Sequence, residues 1–120
     1  MGLDVYIGVQ GRDEHVFYLR NHSKFFELMC TPEPAPIYPN YSDFKVSLPM
    51  IDRMEKRMLA EFHAAGLSLD SIPQTLSDDF EDRDARDISW KEFLPSYLCM
   101  MKDLRVLIRQ HGHLVCSWSV

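Results

Sequence analysis

The apolar and polar positions at the start of the chain alternate with a period of two, and later segments follow the period of a helix. Apolar side chains occupy every second position of the first segment: Leu3, Val5, Ile7 and Val9. This alternation predicts a strand with one face on the core. A turn at residues 11–14 leads to residues 15–20, whose aromatic and β-branched side chains favour a second strand. The two strands are therefore predicted to pair as an antiparallel hairpin.

A short helix is predicted to follow the hairpin, with Asn21 or Ser23 as its cap. Its buried side would consist of Phe25, Phe26 and Met29. The helix must end by Thr31, because four prolines between positions 32 and 39 prevent its continuation. We expect residues 31–43 to form an extended connector. An exposed ligand for an aromatic groove is the alternative for this proline-rich stretch.

Residues 44–54 predict the junction between a short third strand and the first long helix. The strand would cover Phe44 to Val46. Ser47 is a suitable N-cap, and Pro49 lies in the first turn, where its missing N–H costs little. Apolar residues then recur at intervals of three and four up to a stop at Gly66: Met50, Ile51, Met54, Met58, Leu59, Phe62 and Ala65. This spacing predicts a helix with one apolar face.

A second long helix is predicted to begin at residues 89–92, because Ser89 and Glu92 have the form of a capping box. Its helical spacing of apolar residues continues to Gly112, and we expect Pro95 to bend or restart the helix. Residues 114–120 then favour a final strand. The predicted fold class is α+β, in a single domain spanning residues 1–120. A small antiparallel sheet, made of the hairpin, the final strand and the short third strand, would be packed on one face by two main helices and one short helix.

The composition narrows the class of partner. The formal net charge of −5 argues against direct nucleic-acid binding, which needs Lys and Arg to neutralise phosphates. No signal peptide or membrane span is recognised, so we expect a cytoplasmic protein. Cys30, Cys99 and Cys116 are odd in number and lie in apolar surroundings, which favours reduced core thiols.

Residues 78–87 carry six acidic residues and two arginines. The acidic side chains are Asp78, Asp79, Glu81, Asp82, Asp84 and Asp87. A solvated loop next to a helix start is one interpretation. A calcium loop is a weaker one, because the central glycine and alternate spacing of an EF-hand are absent. The third is a negative patch that meets a basic partner.

No catalytic motif of high specificity occurs in the chain, and no cofactor or metal site is predicted. The nearest metal-like cluster is His111, His113 and Cys116, but positions 113 and 116 would point to opposite faces of a strand. A second polar set lies on the predicted hairpin and comprises Asp4, Tyr6, Tyr18, Arg20 and His22. These residues would suit an anion or a nucleotide, and a merely hydrated sheet face is equally consistent with them.

Short motifs along the chain resemble a group of small proteins encoded by bacteriophages and prophages, whose function is generally unassigned. The opening Met-Gly-Leu-Asp-Val-Tyr resembles the Met-Gly-Leu-Asp-Met-Tyr start of that group. Residues 18–21, 44–47, 72–75 and 116–118 are similar to further landmarks of the group, in the same order. The chain departs from the group at Ser23 and Phe26, where members tend to carry Asn and His. It also departs at residues 78–82, where acidic residues replace a Gly-Phe-Phe-Phe-Gly-like stretch.

The resemblance implies a viral or mobile-element origin and an α+β fold. Together with the acidic segment, it leads to the hypothesis of a non-enzymatic protein that uses its acidic surface to bind and inhibit a host bacterial protein with a basic surface. A nucleic-acid-handling defence system is the expected target, as for an anti-CRISPR-like inhibitor. The alternative is a small nucleotide- or anion-binding protein or enzyme that uses Asp4, Tyr18, Arg20 and His22. An oligomeric virion or assembly component is a third possibility, and the sequence leaves a monomer or a small homo-oligomer open.

Overall fold

A computed structural model describes residues 2–30, 43–87 and 89–120, without the side chain of Asp87. The predicted connector at 31–43 lies outside the described residues except for Asp43. The strands and helices are β1 (Asp4–Gly8), β2 (His15–Arg20), α1 (Ser23–Cys30), β3 (Phe44–Val46), α2 (Leu48–Ala64), α3 (Trp90–His111) and β4 (Leu114–Ser119). Three short 3-10 turns, Leu69–Ser71, Phe80–Asp82 and Ala85–Asp87, lie between α2 and α3.

The four strands form one antiparallel sheet in the order β2-β1-β4-β3. The C-terminal strand β4 therefore lies between β1 and β3, and β2 is an edge strand. With its three helices, the sheet confirms the predicted α+β fold class. The hairpin pairs Asp4 with Arg20 and Tyr6 with Tyr18, so these four side chains share one face.

The other face of the sheet forms the core with the helices. The alternating strand residues are buried on this face: Val5, Ile7, Phe17, Leu19, Val46, Leu114 and Cys116. They join one hydrophobic cluster with the apolar sides of α2 and α3. The two-residue and the three-to-four-residue periods of the sequence thus correspond to the buried faces. The three cysteines are buried and free, which confirms their prediction as core thiols.

The helix ends agree with the predictions in position and differ in two details. Ser47 is the N-cap of α2, but its hydroxyl makes no capping hydrogen bond, so this part of the prediction was wrong. The hydroxyl of Ser89 does accept a hydrogen bond from the Glu92 N–H, at 3.2 Å. Helix α3 runs without interruption through Pro95 to His111, so of the predicted bend or restart, the restart does not occur. Among the described residues, no helix combines the length and apolar character that a membrane crossing requires.

Candidate functional site

The outer face of the sheet carries a polar cluster that the hairpin register brings together. Asp4 of β1 stands opposite Arg20 of β2. One oxygen of the Asp4 carboxylate accepts hydrogen bonds from the Tyr18 hydroxyl at 2.6 Å and from the Arg20 guanidinium at 2.7 Å. Three of the four residues predicted for a ligand site on the hairpin are therefore in contact with one another.

These contacts fix the charge states of the cluster. The hydrogen bond from Tyr18, followed by that from Arg20, lowers the pKa of Asp4 below its ordinary value. The bond to Asp4 raises the pKa of the Tyr18 phenol. The cluster at neutral pH is thus an ionised carboxylate held by a neutral phenol and a guanidinium, and it offers no general base near neutrality.

An aromatic surface adjoins this cluster. The rings of Tyr6 and Tyr18 stack with their centroids 5.0 Å apart, and His15 meets Tyr6 edge-on at 5.4 Å. The Tyr18 N–H points away from β1, because it donates to a Glu81 oxygen at 3.0 Å. Tyr6 and Tyr18 therefore form a non-hydrogen-bonded pair, the type of pair in which side chains approach most closely.

A cleft of about 660 Å³ lies at one end of the same face, beside the hairpin turn. Its lining includes Tyr6, Gln10, Arg12, His15, Lys45 and Ser117. The turn lies close to β1 at Gly8, where a Cβ atom would come within 3.2 Å of the Glu14 carbonyl oxygen. Cationic and acidic side chains both line the cleft, so it presents no single sign of charge.

His22 is not part of this surface, and its assignment to the hairpin site was wrong. Its side chain is buried at 2% exposure, and Nδ1 lies 2.6 Å from the Tyr97 hydroxyl of α3. Burial lowers the pKa of His22 to about 4, while the nearby Arg83 backbone and Asp84 carboxylate act in the opposite direction. Burial also raises the pKa of Tyr97. Both side chains are therefore neutral at physiological pH.

The acidic residues of segment 78–87 divide into exposed and anchored side chains. Asp78, Asp79 and Asp82 are exposed. Glu81 is half-buried and accepts the hydrogen bond from the Tyr18 N–H. The side chain of Asp87 lies outside the described part of the chain.

Asp84 is anchored from two sides. Its carboxylate accepts hydrogen bonds from the Asn21 amide at 2.8 Å and from the Arg86 guanidinium at 3.0 Å. The bonds from Arg86, followed by that from Asn21, hold the pKa of Asp84 far below its ordinary value. Asp84 also forms an isolated parallel bridge with Arg20. The predicted solvated loop is thus attached to the sheet at this residue.

Phe80 is the buried anchor of the acidic segment. Its side chain is 2% exposed, and its ring lies 5.8 Å from His22 and 5.9 Å from Phe93, between centroids. Sequence reasoning treated the segment as charge alone and missed this role. The available signal was one large aromatic residue among acidic ones, since such a residue is rarely left in water.

Asn21 connects the acidic segment to the start of the sheet, and it was considered only as a helix cap. Its backbone is left-handed, with φ of 61°. Its side-chain oxygen accepts from the Leu3 N–H at 2.9 Å, while its side-chain nitrogen donates to Asp84. Asparagine is one of the few residues besides glycine that adopt this conformation readily, and that preference was the signal in the sequence.

Within the described ranges, no three His, Cys, Asp or Glu side chains are placed to hold a metal ion together. Of the weak cluster considered in the sequence, His113 lies with Nε2 2.8 Å from the Gln10 side-chain oxygen, and Cys116 is buried in the core.

Comparison with known proteins finds no family model, no curated protein and no solved structure that matches this chain. The resemblance to phage-encoded proteins therefore stays a prediction.

Proposed function

We propose that this protein is a phage or mobile-element accessory protein that inhibits a host bacterial protein by binding it, without catalysing a reaction. The acidic segment would occupy a basic surface of a nucleic-acid-handling defence system in the host cytoplasm, as an anti-CRISPR-like inhibitor does. The observation that carries this proposal is the anchoring of the exposed acids. Asp78, Asp79 and Asp82 are exposed on a segment that Phe80 and Asp84 hold against the fold.

Anchoring increases affinity, because a loop that is not held in place has to become ordered when the partner binds. A preformed segment loses less conformational entropy when a partner binds, so more of the interaction free energy remains as affinity. The exposed carboxylates would take the place of nucleic-acid phosphates on the partner and would increase the association rate by long-range attraction. Such an interface should weaken as salt screens the charges.

The first experiment identifies the partner and then measures the interaction with purified proteins. The tagged chain is used to capture proteins from a lysate of the bacterial host, and the captured protein is identified by mass spectrometry. Affinity and its salt dependence are then measured by calorimetry. Capture alone does not support the proposal, since the surface that binds is tested only by the variants below.

Neutralising the exposed acids is expected to weaken partner binding. The variant carries Asp78→Asn, Asp79→Asn and Asp82→Asn, which leaves Phe80, Glu81 and Asp84 in place. With about 0.5 kcal/mol for each exposed charge, the dissociation constant at low salt should rise about tenfold. The salt dependence of the affinity should become shallower in the same variant.

The matched control changes the net charge equally at the hairpin side of the molecule. It carries Asp13→Asn, Glu14→Gln and Asp43→Asn, and these three residues are also exposed. The control should bind close to the wild-type affinity. Equal weakening by both variants would indicate a general charge effect, and an unchanged affinity and salt dependence in the first variant would reject the acidic interface.

A second candidate function rests on the outer sheet face. The stacked Tyr6 and Tyr18 rings, the Asp4 and Arg20 pair and the adjoining cleft favour a small ligand with a ring and a charged group, such as a nucleotide. In this case the protein would be a ligand-binding protein or a small enzyme, and the acidic segment would contribute only to the fold.

A thermal-shift screen with nucleotides, with and without divalent metal ions, tests this second function. A ligand at a hundred times its dissociation constant stabilises the folded state by about 2.7 kcal/mol. The melting temperature should therefore rise by several degrees with the correct ligand. Tyr6→Leu should abolish this rise, and Val106→Ala, at an exposed position of α3 that does not line the cleft, should preserve it. No rise with any nucleotide, or a rise that Tyr6→Leu leaves intact, would reject a nucleotide site on this face.

A further inference from the structure

The outer edge of β2 is covered by the acidic segment in its second half, at Tyr18 and Arg20. An edge strand presents backbone N–H and C=O groups that would otherwise pair with another chain. Here a side chain takes the place of a neighbouring strand, because Glu81 accepts the outward N–H of Tyr18. Two residues further along β2, Arg20 forms a parallel bridge with Asp84. We name residues 79–84 the edge cover.

The edge cover is held at three points that depend on different chemistry. Glu81 accepts the backbone N–H of β2, and Asp84 accepts the side chain of Asn21. Phe80 lies in an aromatic pocket formed by His22, Phe93 and Tyr97. The third point of attachment thus contains a buried titratable ring in direct contact with the cover.

We propose that the edge cover opens as a unit without unfolding of the core, and that protonation of His22 promotes this opening. A charged imidazolium in the aromatic pocket is poorly solvated, so the closed state resists protonation. Opening removes Phe80 from the pocket and gives His22 access to water. The open state would expose the edge of β2. This opening does not depend on whether the acidic residues bind a partner.

Within the described part of the chain, the groups that act on His22 come from α3 and from the edge cover. Tyr97 contacts it from α3, and the backbone of Arg83 and the carboxylate of Asp84 act on it from the cover itself. Lys24 of α1 is engaged elsewhere, with Glu61 and the ring of Trp90. Asp84 stays ionised throughout the range in which His22 titrates, because its pKa is held far below the ordinary value.

The direction of the pH effect follows from linkage. The pKa of His22 is about 4 in the closed state and returns to its ordinary value of 6.5 when the ring reaches water. Opening therefore takes up a proton between these pH values, and the opening constant rises as the pH falls. From pH 7 to pH 5 the expected increase is about 20-fold.

Amide hydrogen exchange of the wild-type protein between pH 7 and pH 5, corrected for intrinsic rates, tests the proposal. The informative amides are those of Tyr18, Asp82 and Arg83, which are bonded to or within the cover. They should open at a lower free energy than the amide of the buried Met101 in α3, and their opening constants should rise about 20-fold. Opening at the same free energy as Met101 would show that the cover is not an independent unit.

Two variants separate the role of His22 from that of Glu81. His22→Gln removes the titrating ring, so opening of the cover should become nearly independent of pH. Glu81→Gln keeps an acceptor for the Tyr18 N–H and leaves His22 in place, so the pH dependence should persist. If His22→Gln does not fold, the wild-type pH series still decides the matter, since an opening constant that is unchanged between pH 7 and pH 5 would overturn the role of protonation.

Discussion

Phe80→Ala is expected to destabilise the protein by about 3–5 kcal/mol, because it empties a buried aromatic site that His22, Phe93 and Tyr97 surround. A domain of this size is stable by only about 5–15 kcal/mol, so the loss is a large fraction of the total. The melting temperature should fall by more than about 10 °C. Chemical denaturation and thermal melting measure the two quantities.

Leu69→Ala is the matched control for this prediction. Leu69 lies in the same connection between α2 and α3, and its side chain is 63% exposed. Its truncation should change the free energy of unfolding by less than about 0.5 kcal/mol. A similarly small effect of Phe80→Ala would contradict the role of Phe80 as the anchor of the acidic segment.

Phe80→Ala also tests the proposed function, because it removes no charge. If affinity depends on anchored acids, Phe80→Ala should weaken partner binding at a temperature where the variant is still folded. Binding at the wild-type affinity would mean that the carboxylates act without being held in place. The acid-neutralising variant thus tests whether the charges are needed, and Phe80→Ala tests whether they must be held in place.

The periodic segments were predicted well because their periods follow directly from burial. The face that carries Asp4, Tyr18 and Arg20 was predicted by the same reasoning, since residues of the same parity on paired strands share a face. Their sequence distances are short, and the hairpin between them fixes the register. Local pattern is therefore sufficient for this part of the candidate site.

The parity argument failed at His22 for a local reason. It assumes that the strand continues, but β2 ends at Arg20 and Asn21 adopts a left-handed conformation. This reversal directs the next side chain into the core instead of the outer face. A residue after a left-handed position cannot be assigned to a face by counting along the strand.

The anchoring of the acidic segment was not predictable because its partners are distant in sequence. Glu81 and Tyr18 are 63 residues apart, as are Asp84 and Asn21. Composition indicated a charged, solvated loop, and that interpretation holds for Asp78, Asp79 and Asp82. Glu81 and Asp84 differ from these three residues only because the fold places Tyr18 and Asn21 next to them.

Asn21→Ala is expected to destabilise the protein by about 2–5 kcal/mol for two additive reasons. Alanine in the left-handed conformation costs about 1–2 kcal/mol. Loss of the side chain also removes the acceptor of the Leu3 N–H and the donor to Asp84, and partly buried groups without partners cost about 1–3 kcal/mol. Denaturant unfolding monitored by circular dichroism measures the change.

Asn21→Gly separates the two contributions, because glycine removes the same hydrogen bonds and tolerates the positive φ. It should be less destabilising than Asn21→Ala by roughly 0.5–1 kcal/mol, once the greater flexibility of glycine in the unfolded chain is counted. Equal losses in the two variants would mean that the left-handed strain of alanine is no larger than the entropic cost of glycine. Because Asn21 joins the first strand to the edge cover, both variants should also accelerate amide exchange at Tyr18 more than at Met101. Exchange that rises equally at both amides would show that Asn21 stabilises the whole fold and does not specifically stabilise the closed edge cover.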